Sequence, residues 1–363
     1  MNKVEYKDLV AFHPGYYVAD IIEDMGMSQD EFATRMGTTG KTLSKLVNGQ
    51  CNLSVDLAQK LAMMLGTGID VWLNLQTTYN QKKAEIEQQK QNDEQTAIVS
   101  MIDYSYFVKV AHLADTRKSD EKVANLCGFF RVSDLRIMLE PDFLVNFRSS
   151  VSVVEQKNII NARAWLQTAM NFSKDLPIGK FNKSKLEMAL PEIRKMTLQD
   201  PQVFLPRLRE IFAECGVAFV LLPHLKNSGI NGAVKWSDSE HVLLALNDRR
   251  CYADTFWFSL FHEIKHVLQQ KTKTVFVSSD IKQIEQLNQT LEDEADRFAQ
   301  DYLIPLEEYK RFAPNRFTSD AEIIRFARKI GVHPGVVAGR LQHDKIIPQN
   351  RCSRLKVKYH VVV

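Results

Sequence analysis

Five consecutive residues in the C-terminal half of the chain, His262-Glu263-Ile264-Lys265-His266, match the pattern H-E-x-x-H. They lie in the stretch 256–270, FWFSLFHEIKHVLQQ, which is apolar enough to be a buried helix. Because four residues make slightly more than one helical turn, His262 and His266 should share one face. Two neutral imidazoles at this spacing can bind one zinc ion, and Glu263 can act as general base on a zinc-bound water. The alternative is a core helix whose histidines are satisfied by neighbouring groups.

A third zinc ligand should come from a neighbouring element, and the next helical segment, LEDEADRFA at 291–299, supplies carboxylates. Glu292 and Asp296 are four residues apart and should lie on one face of that helix. We predict that Glu292 binds the metal and that Asp296 accepts a hydrogen bond from the far ring nitrogen of a ligating histidine. Glu294 remains an alternative third ligand. The sequence therefore predicts one site with Zn²⁺ as its cofactor.

The stretches FWFSLFHEIKH and LEDEADRFAQDYLIP together resemble the ImmA/IrrE family of zinc-dependent peptidase domains. That family usually shows WFtLFHExGH followed by ExEAxxFAxxLLiP. The resemblance covers roughly Leu205 to Pro305 and implies a zincin-like fold with peptidase activity. Lys265 stands where the family generally has glycine. A lysine turned toward the metal would oppose Zn²⁺, whereas one extending outward to solvent would be harmless.

Residues 12–75 show a second pattern, the spacing of a helix-turn-helix. Ser28 can cap a first helix, Gly37 permits a tight turn, and Thr38 or Thr39 can cap a second helix that runs to Val47. The outer face of this second helix carries short polar and basic groups, which suit phosphates and base edges. The candidate DNA-binding residues are Thr39, Lys41, Thr42, Ser44 and Lys45.

Charge alone does not favour DNA binding, because residues 1–80 hold nine acidic and six basic residues. Binding would have to use a local patch of Arg35, Lys41 and Lys45, and the alternative is a helical bundle that does not contact DNA. The stretch from His13 to Gln76, HPGYYVADIIEDMGMSQDEFATRMGTTGKTLSKLVNGQCNLSVDLAQKLAMMLGTGIDVWLNLQ, is similar to the HigA-type antitoxin branch of the Xre helix-turn-helix family. The resemblance implies a homodimer that binds operator DNA in a toxin–antitoxin or stress-response operon.

Composition indicates an ordinary globular protein, with 363 residues, 45% hydrophobic and 25% charged. The five cysteines show no C-x-x-C spacing and are predicted to be reduced thiols. The N-terminus lacks the apolar core of a signal peptide, and no run reaches 18 apolar residues. We therefore expect a cytoplasmic protein that does not contact membranes.

We predict a mainly α fold with a small α+β zincin-like domain, in which a small sheet precedes the H-E-x-x-H helix. The predicted strands are Val217–Leu222, Gly232–Trp236 and His241–Leu246. The basic tail at 351–360 could contact nucleic acid, but we expect it to be a solvated charged strand. The predicted domains are a helix-turn-helix domain (1–80), a polar linker that is an exposed helix or flexible (81–100), a helical connecting region (101–200), the zincin-like domain (201–310), and C-terminal helices with the basic tail (311–363).

Two functions are compatible with these patterns. In the first, a DNA-binding regulator carries a zinc peptidase domain that cleaves a toxin, a repressor or the chain itself. In the second, the chain is a non-catalytic antitoxin whose zincin fold only binds a toxin or ligand.

Overall fold

The computed structural model describes residues 2–140, 156–248, 252–269, 281–313 and 319–359. The chain divides into two compact units, Met1–Ile98 and Val99–Val363. In the described residues, no helix is both long and apolar enough to span a membrane.

The N-terminal unit contains a two-stranded hairpin and four helices, followed by the start of a long fifth helix. The elements are β1 (Lys3–Tyr6), β2 (Leu9–Phe12), α1 (Pro14–Asp24), α2 (Gln29–Arg35), α3 (Gly40–Val47), α4 (Val55–Leu65) and α5 (Ile69–Met101). The side-chain oxygens of Ser28, Thr39 and Ser54 accept hydrogen bonds from the first turns of α2, α3 and α4. The sequence allowed either Thr38 or Thr39 as the cap of α3, and in the structure the cap is Thr39.

The N-terminal hairpin packs on the long helix α5. Ala11 of β2 is buried with Tyr79 and Ile86 of α5. The hydroxyl of Tyr6 donates to Asp93 at 2.9 Å. Segment 81–100, predicted as an exposed helical or flexible linker, is therefore helical and partly covered. The sequence prediction missed both the hairpin and the burial of Ile86, whose neighbours in the sequence are mostly polar.

In the residues that the structure describes, the C-terminal unit is mainly helical around one three-stranded sheet. Its helices and strands are α6 (Tyr104–Val110), α7 (Ser119–Phe130), α8 (Gln156–Ser173), α9 (Lys183–Lys195), α10 (Pro201–Glu214), β3 (Val217–Leu222), β4 (Gly232–Trp236), β5 (Val242–Asn247), α11 (Ala253–Gln269), α12 (Ile281–Leu303), α13 (Leu306–Phe312), α14 (Asp320–Ile330) and α15 (Pro334–His343), with short 3₁₀ helices at Leu135–Leu139, Met196–Leu198 and Ser353–Leu355. Together with the helix-turn-helix of the N-terminal unit, this architecture confirms the predicted fold class.

The sheet has the strand order β3–β5–β4, with β5 parallel to β3 and antiparallel to β4. All residues of β3 and β5 are buried, because helices cover both faces. Phe219 and Leu244 belong to the core cluster that includes α10 and α11, while α8 packs on β3 and β5. In this sheet β4 is an edge strand. Its N-terminal end lies beside α11.

Helices α11 and α12 form the most extensive helix pair of this unit. Trp257, Phe261 and Ile264 of α11 are fully buried in the core. On α12, the small residues Ala295 and Ala299 are also fully buried, and they lie one turn apart. Small side chains let two helices approach closely, and the residues beside this stripe on α12 are thereby brought toward α11.

The C-terminal tail packs against the start of α11. The backbone N–H of Ala253 donates to the carbonyl of Val357, and the indole N–H of Trp257 donates to the hydroxyl of Tyr359 at 2.9 Å. Lys356 forms a partly buried ion pair with Asp254 at 2.7 Å. The expectation of a solvated strand is therefore wrong for this part of the tail, although its arginines and Lys358 are exposed. Its final residues, from His360 onward, lie outside the described residues.

The same three residues, His-Pro-Gly, begin one helix in each unit. In α1 the N-cap is His13, and its Nδ1 accepts from the Gly15 N–H at 3.0 Å. In α15 the N-cap is His333, which accepts from Gly335 at the same distance. A Cβ at Gly15 would lie 1.9 Å from the carbonyl oxygen of Leu46, so the close approach of α1 and α3 requires a residue without a side chain at this position.

Candidate metal centre and nucleic-acid interface

Helix α11 presents its two histidines on one face, one turn apart. The Nε2 atoms of His262 and His266 lie 3.0 Å from each other. Both rings are partly exposed, whereas Phe261, Ile264 and Val267 on the same helix are buried. The H-E-x-x-H segment therefore forms the helix that the sequence predicts, and its two imidazoles converge.

Helix α12 brings a carboxylate to the same point. The two carboxylate oxygens of Glu292 lie 3.4 Å from His262 Nε2 and 3.5 Å from His266 Nε2. Ligands on a tetrahedral zinc ion, with bonds of about 2.0–2.1 Å, are about 3.3–3.4 Å apart. The spacing and the donor types of these three groups fit a zinc ion. In the part of the chain that the structure describes, they are the group identified as able to hold a metal.

The alternative ligand Glu294 points elsewhere. Its carboxylate accepts a hydrogen bond from Gln269 Nε2 at 3.1 Å and lies 3.9 Å from Lys265 Nζ. Lys265 Nζ also sits 5.8 Å from the centre of the Phe298 ring. The lysine is therefore held by groups of α12 outside the His262, His266 and Glu292 cluster, the outward arrangement that the sequence left open.

Each histidine has a partner at its other ring nitrogen. Asp296 Oδ1 lies 2.8 Å from His262 Nδ1. Gln269 Oε1 lies 2.9 Å from His266 Nδ1, and the amide of Gln269 also donates to the carbonyl of Leu291 at 3.2 Å. Hydrogen bonds of this kind fix the tautomer and orientation of an imidazole. Asp296 was expected from the sequence, whereas Gln269 was missed; its position three residues after His266 was the available signal.

Glu263 lies on the side of α11 that faces the sheet and is 8% exposed. A Cβ built on Gly232 of β4 would lie 2.8 Å from both Cγ and Oε1 of Glu263. The side chain of Glu263 therefore packs directly against the backbone of the edge strand. Burial raises the pKa of Glu263, and the charges of His262 and His266 oppose that rise.

The electrostatics of the cluster favour an imidazolium–carboxylate arrangement when no metal is bound. Burial lowers the pKa of His262, but hydrogen bonds to Asp296 and Glu292 outweigh it and raise the pKa to about 10. Burial lowers the pKa of His266, but its hydrogen bond to Glu292 and the charges of Glu263 and Glu292 together outweigh burial and raise the pKa. Burial raises the pKa of Glu292, but its bonds to the two histidines hold it well below the usual range. Metal binding at these nitrogens must therefore displace protons.

The predicted DNA-binding residues lie together on α3 and its cap. Thr39, Lys41 and Lys45 are exposed, and Thr42 and Ser44 are half-buried. Thr39 and Thr42 are hydrogen-bonded to each other, since Thr39 Oγ1 accepts from the Thr42 N–H at 3.1 Å. Leu43 and Leu46 are fully buried on the opposite side, which fixes the orientation of the helix.

The three basic residues of the predicted patch differ in their surroundings. Arg35 is paired with Glu31 at 2.6 Å on the same helix. Lys41 and Lys45 have no carboxylate within ion-pairing distance among the described residues. Their charges are therefore the ones available to phosphates on this face.

Comparison with known proteins gives two matching family models. The model described as Helix-turn-helix matches residues 18–72, and the model described as IrrE N-terminal-like domain matches residues 225–342. The HTH-type transcriptional regulator YddM of Escherichia coli K12, itself uncharacterized, is 32% identical over 72 residues, which are 20% of this chain and 77% of that protein. Virulence-associated protein I of Dichelobacter nodosus is 29% identical over 86 residues, covering 23% of this chain and 80% of that protein. A solved structure from Nostoc punctiforme, described as an antidote protein of a plasmid maintenance system, is 32% identical, covers 23% of this chain and 92% of its own, and gives a TM-score of 0.23.

The fold and the two matched regions define a class of protein in which a helix-turn-helix regulator is fused to a metallopeptidase-like domain. The chain belongs to the Xre-type helix-turn-helix transcriptional regulators and carries a C-terminal IrrE/ImmA-like domain of the M78 peptidase family.

Proposed function

We propose that this DNA-binding regulator is also a zinc-dependent endopeptidase that cleaves one specific protein partner or the chain itself. The observation that carries the proposal is the convergence of His262, His266 and Glu292 beside the buried carboxyl of Glu263. The donor spacing described above supports zinc as the bound ion, with those three residues as ligands.

Zinc held by His262, His266 and Glu292 would supply Lewis-acid chemistry and lower the pKa of an attacking water to about 7. Glu263 would take the proton at its carboxylate oxygen and pass it to the leaving amine, which suits a carboxyl whose pKa burial has raised. Asp296 and Gln269 would hold the two imidazoles in the tautomer that leaves each Nε2 free for the metal.

The edge strand β4 is the proposed docking site for an extended peptide. The Asn247 N–H donates to the carbonyl of Asn231, and the Ser237 N–H donates to the carbonyl of His241. Because hydrogen-bonded pairs alternate along an antiparallel ladder, the N–H and C=O groups of Gly232, Val234 and Trp236 point away from β5. A substrate strand can pair with these groups next to Glu263.

Zinc analysis beside a cleavage assay tests this function. The candidate substrate is the protein encoded next to this chain, co-expressed with it. Wild type should contain about one zinc per chain and cleave its substrate. Glu263→Gln should keep the zinc and lose cleavage, because the amide retains the shape but cannot accept the proton. Equal cleavage by Glu263→Gln would contradict Glu263 as the base. Wild type without zinc and without cleavage would leave the non-catalytic antitoxin, which binds a toxin or ligand through the same fold.

For the N-terminal unit we propose operator binding as a homodimer, with Thr39, Lys41, Thr42, Ser44 and Lys45 facing DNA. Half-sites about one helical turn apart require two recognition helices related by a two-fold axis. Light scattering of the full chain with and without operator DNA tests this. A monomer that binds a palindromic operator tightly would contradict the dimer.

A further inference from the structure

One glycine lies where the proposed peptide-binding edge meets the proposed base. Gly232 is the first residue of β4, and its backbone N–H and C=O point away from β5, toward the side of β4 on which the described residues place no further strand. On one face of the sheet, side chains already fill the space where a Cβ of residue 232 would lie. That Cβ would be 2.8 Å from Cγ and Oε1 of Glu263 and 2.7 Å from Cδ2 of Leu246.

These distances exclude a side chain at this position without movement of a neighbour. Carbon–carbon contacts are favourable at about 3.5–4.0 Å, and an added methyl would be far inside that range. Leu246 can turn its terminal methyl aside. Glu263 is more constrained, because it is 8% exposed and lies on a helix whose neighbouring residues Phe261 and Ile264 are fully buried.

We propose that Gly232 is a positioning residue: the absence of its side chain lets the Glu263 carboxylate lie against β4 at the point where a bound peptide would pair. This inference rests on the proposed peptidase function for its consequence, but the contact itself does not depend on metal or activity. A side chain at position 232 would push the carboxylate away from the strand edge and change its place beside His262 and His266.

A double-mutant cycle in thermal unfolding of the full chain tests the contact. Gly232→Ala should lower the unfolding midpoint of the C-terminal unit by about 2–10 °C, the range expected for an overpacked methyl. In a Glu263→Ala background the same change should cost less than half as much, because the methyl enters the vacated space. Gly128→Ala is the matched control, since a Cβ there meets nothing within 4 Å, and it should not lower the midpoint. If Gly232→Ala lowered the unfolding midpoint equally in the wild-type and Glu263→Ala backgrounds, the two positions would not interact, and the proposed contact would be wrong.

The positioning role needs a second readout, the visible absorption spectrum of the cobalt(II)-loaded protein. Gly232→Ala should still bind about one cobalt, with bands shifted toward those of Glu263→Ala. Adding Gly232→Ala to Glu263→Ala should change nothing further, whereas a general disturbance of the fold would change both spectra. A wild-type spectrum in Gly232→Ala would overturn the role. If wild type took up no cobalt, the proposed metal site would be wrong. The unfolding cycle would still test whether Gly232 and Glu263 are in contact.

Discussion

Asp296 Oδ1 lies 2.8 Å from His262 Nδ1, and this bond leaves the Nε2 atom of the ring facing His266 and Glu292. A carboxylate on one helix therefore sets the orientation of a candidate ligand on another. The packing of α11 on α12 and the ligand geometry are coupled through this bond, because any shift of α12 moves both Asp296 and Glu292.

Replacement of Asp296 should weaken metal binding without abolishing it. Asp296→Asn removes the negative charge that makes the His262 ring more basic, so zinc affinity should fall about 10–100-fold. The control is Asp293→Asn, since Asp293 is exposed and accepts from Gln289 on the same helix. Competition with a chromophoric chelator measures both affinities. Equal affinities in the two variants would contradict the role of Asp296.

Replacement of the two candidate third ligands, Glu292 and Glu294, should have different effects on zinc content. Glu292→Ala removes the carboxylate that lies between the two imidazoles, and its zinc content should fall well below one per chain. Glu294→Ala removes contacts with Gln269 and Lys265 that do not include the two imidazoles, and its zinc content should stay near that of wild type. Elemental analysis of the two purified variants decides between them. A zinc-free Glu294→Ala protein would mean that the ligand set is wrong.

Lys41 and Lys45 should carry the salt dependence of operator binding. Their double replacement by alanine should weaken binding and flatten the slope of log K against log salt by about 0.9 for each lost phosphate contact. Lys60→Ala is the control, because Lys60 lies on α4 and is paired with Asp56 at 2.9 Å. Fluorescence anisotropy with DNA from the upstream region, at two salt concentrations, gives the slope. An unchanged slope in the double variant would exclude α3 as the reading helix.

Acidification should loosen the start of α1. Burial lowers the pKa of His13 below its ordinary value, so the unfolded chain binds a proton at higher pH than the folded chain does. The stability contributed by neutral His13 is complete above about pH 6.5 and is lost as the pH falls through the folded pKa. Protonation also removes the lone pair that accepts from Gly15, and loss of an N-cap costs about 0.5–2 kcal/mol.

Hydrogen exchange of α1 amides at about pH 7.5 and about pH 5.5, corrected for intrinsic rates, measures this effect. His13 is the sole histidine among residues 1–98, and His13→Asn keeps a capping side chain that does not titrate. The drop in protection should therefore disappear in His13→Asn. A drop of the same size in the variant would assign the pH dependence to another group.

The sequence predicts those parts of the molecule in which local spacing determines geometry. The four-residue spacings of His262 with His266, and of Glu292 with Asp296, place each pair on one helical face whatever the rest of the fold does. The strand Val217–Leu222 has the same bounds in the structure, since a continuous apolar run limited by Gly216 and Pro223 leaves little choice. The predicted domain limits at 80, 100, 200 and 310 remain predictions.

Contacts between distant segments could not be read in the same way. Gly232 contacts Glu263 because β4 lies beside α11. That placement depends on the strand order of the folded sheet, which local sequence patterns do not specify. The hairpin at Lys3–Phe12 was missed because β1 and β2 are four residues each and one of them carries charges. Ile86 looked like an isolated apolar residue because its partner Ala11 lies on the hairpin, far from it in the sequence.

The packing of Tyr359 and Lys356 on the start of α11 has a consequence for how the protein is made. Tyr359 and Lys356, the partners of Trp257 and Asp254, leave the ribosome long after α11 itself. The N-terminal unit, in contrast, is complete once α5 has emerged. Since domains generally fold in the order of their synthesis, we expect the helix-turn-helix of each nascent chain to be folded before α11 has packed against the tail.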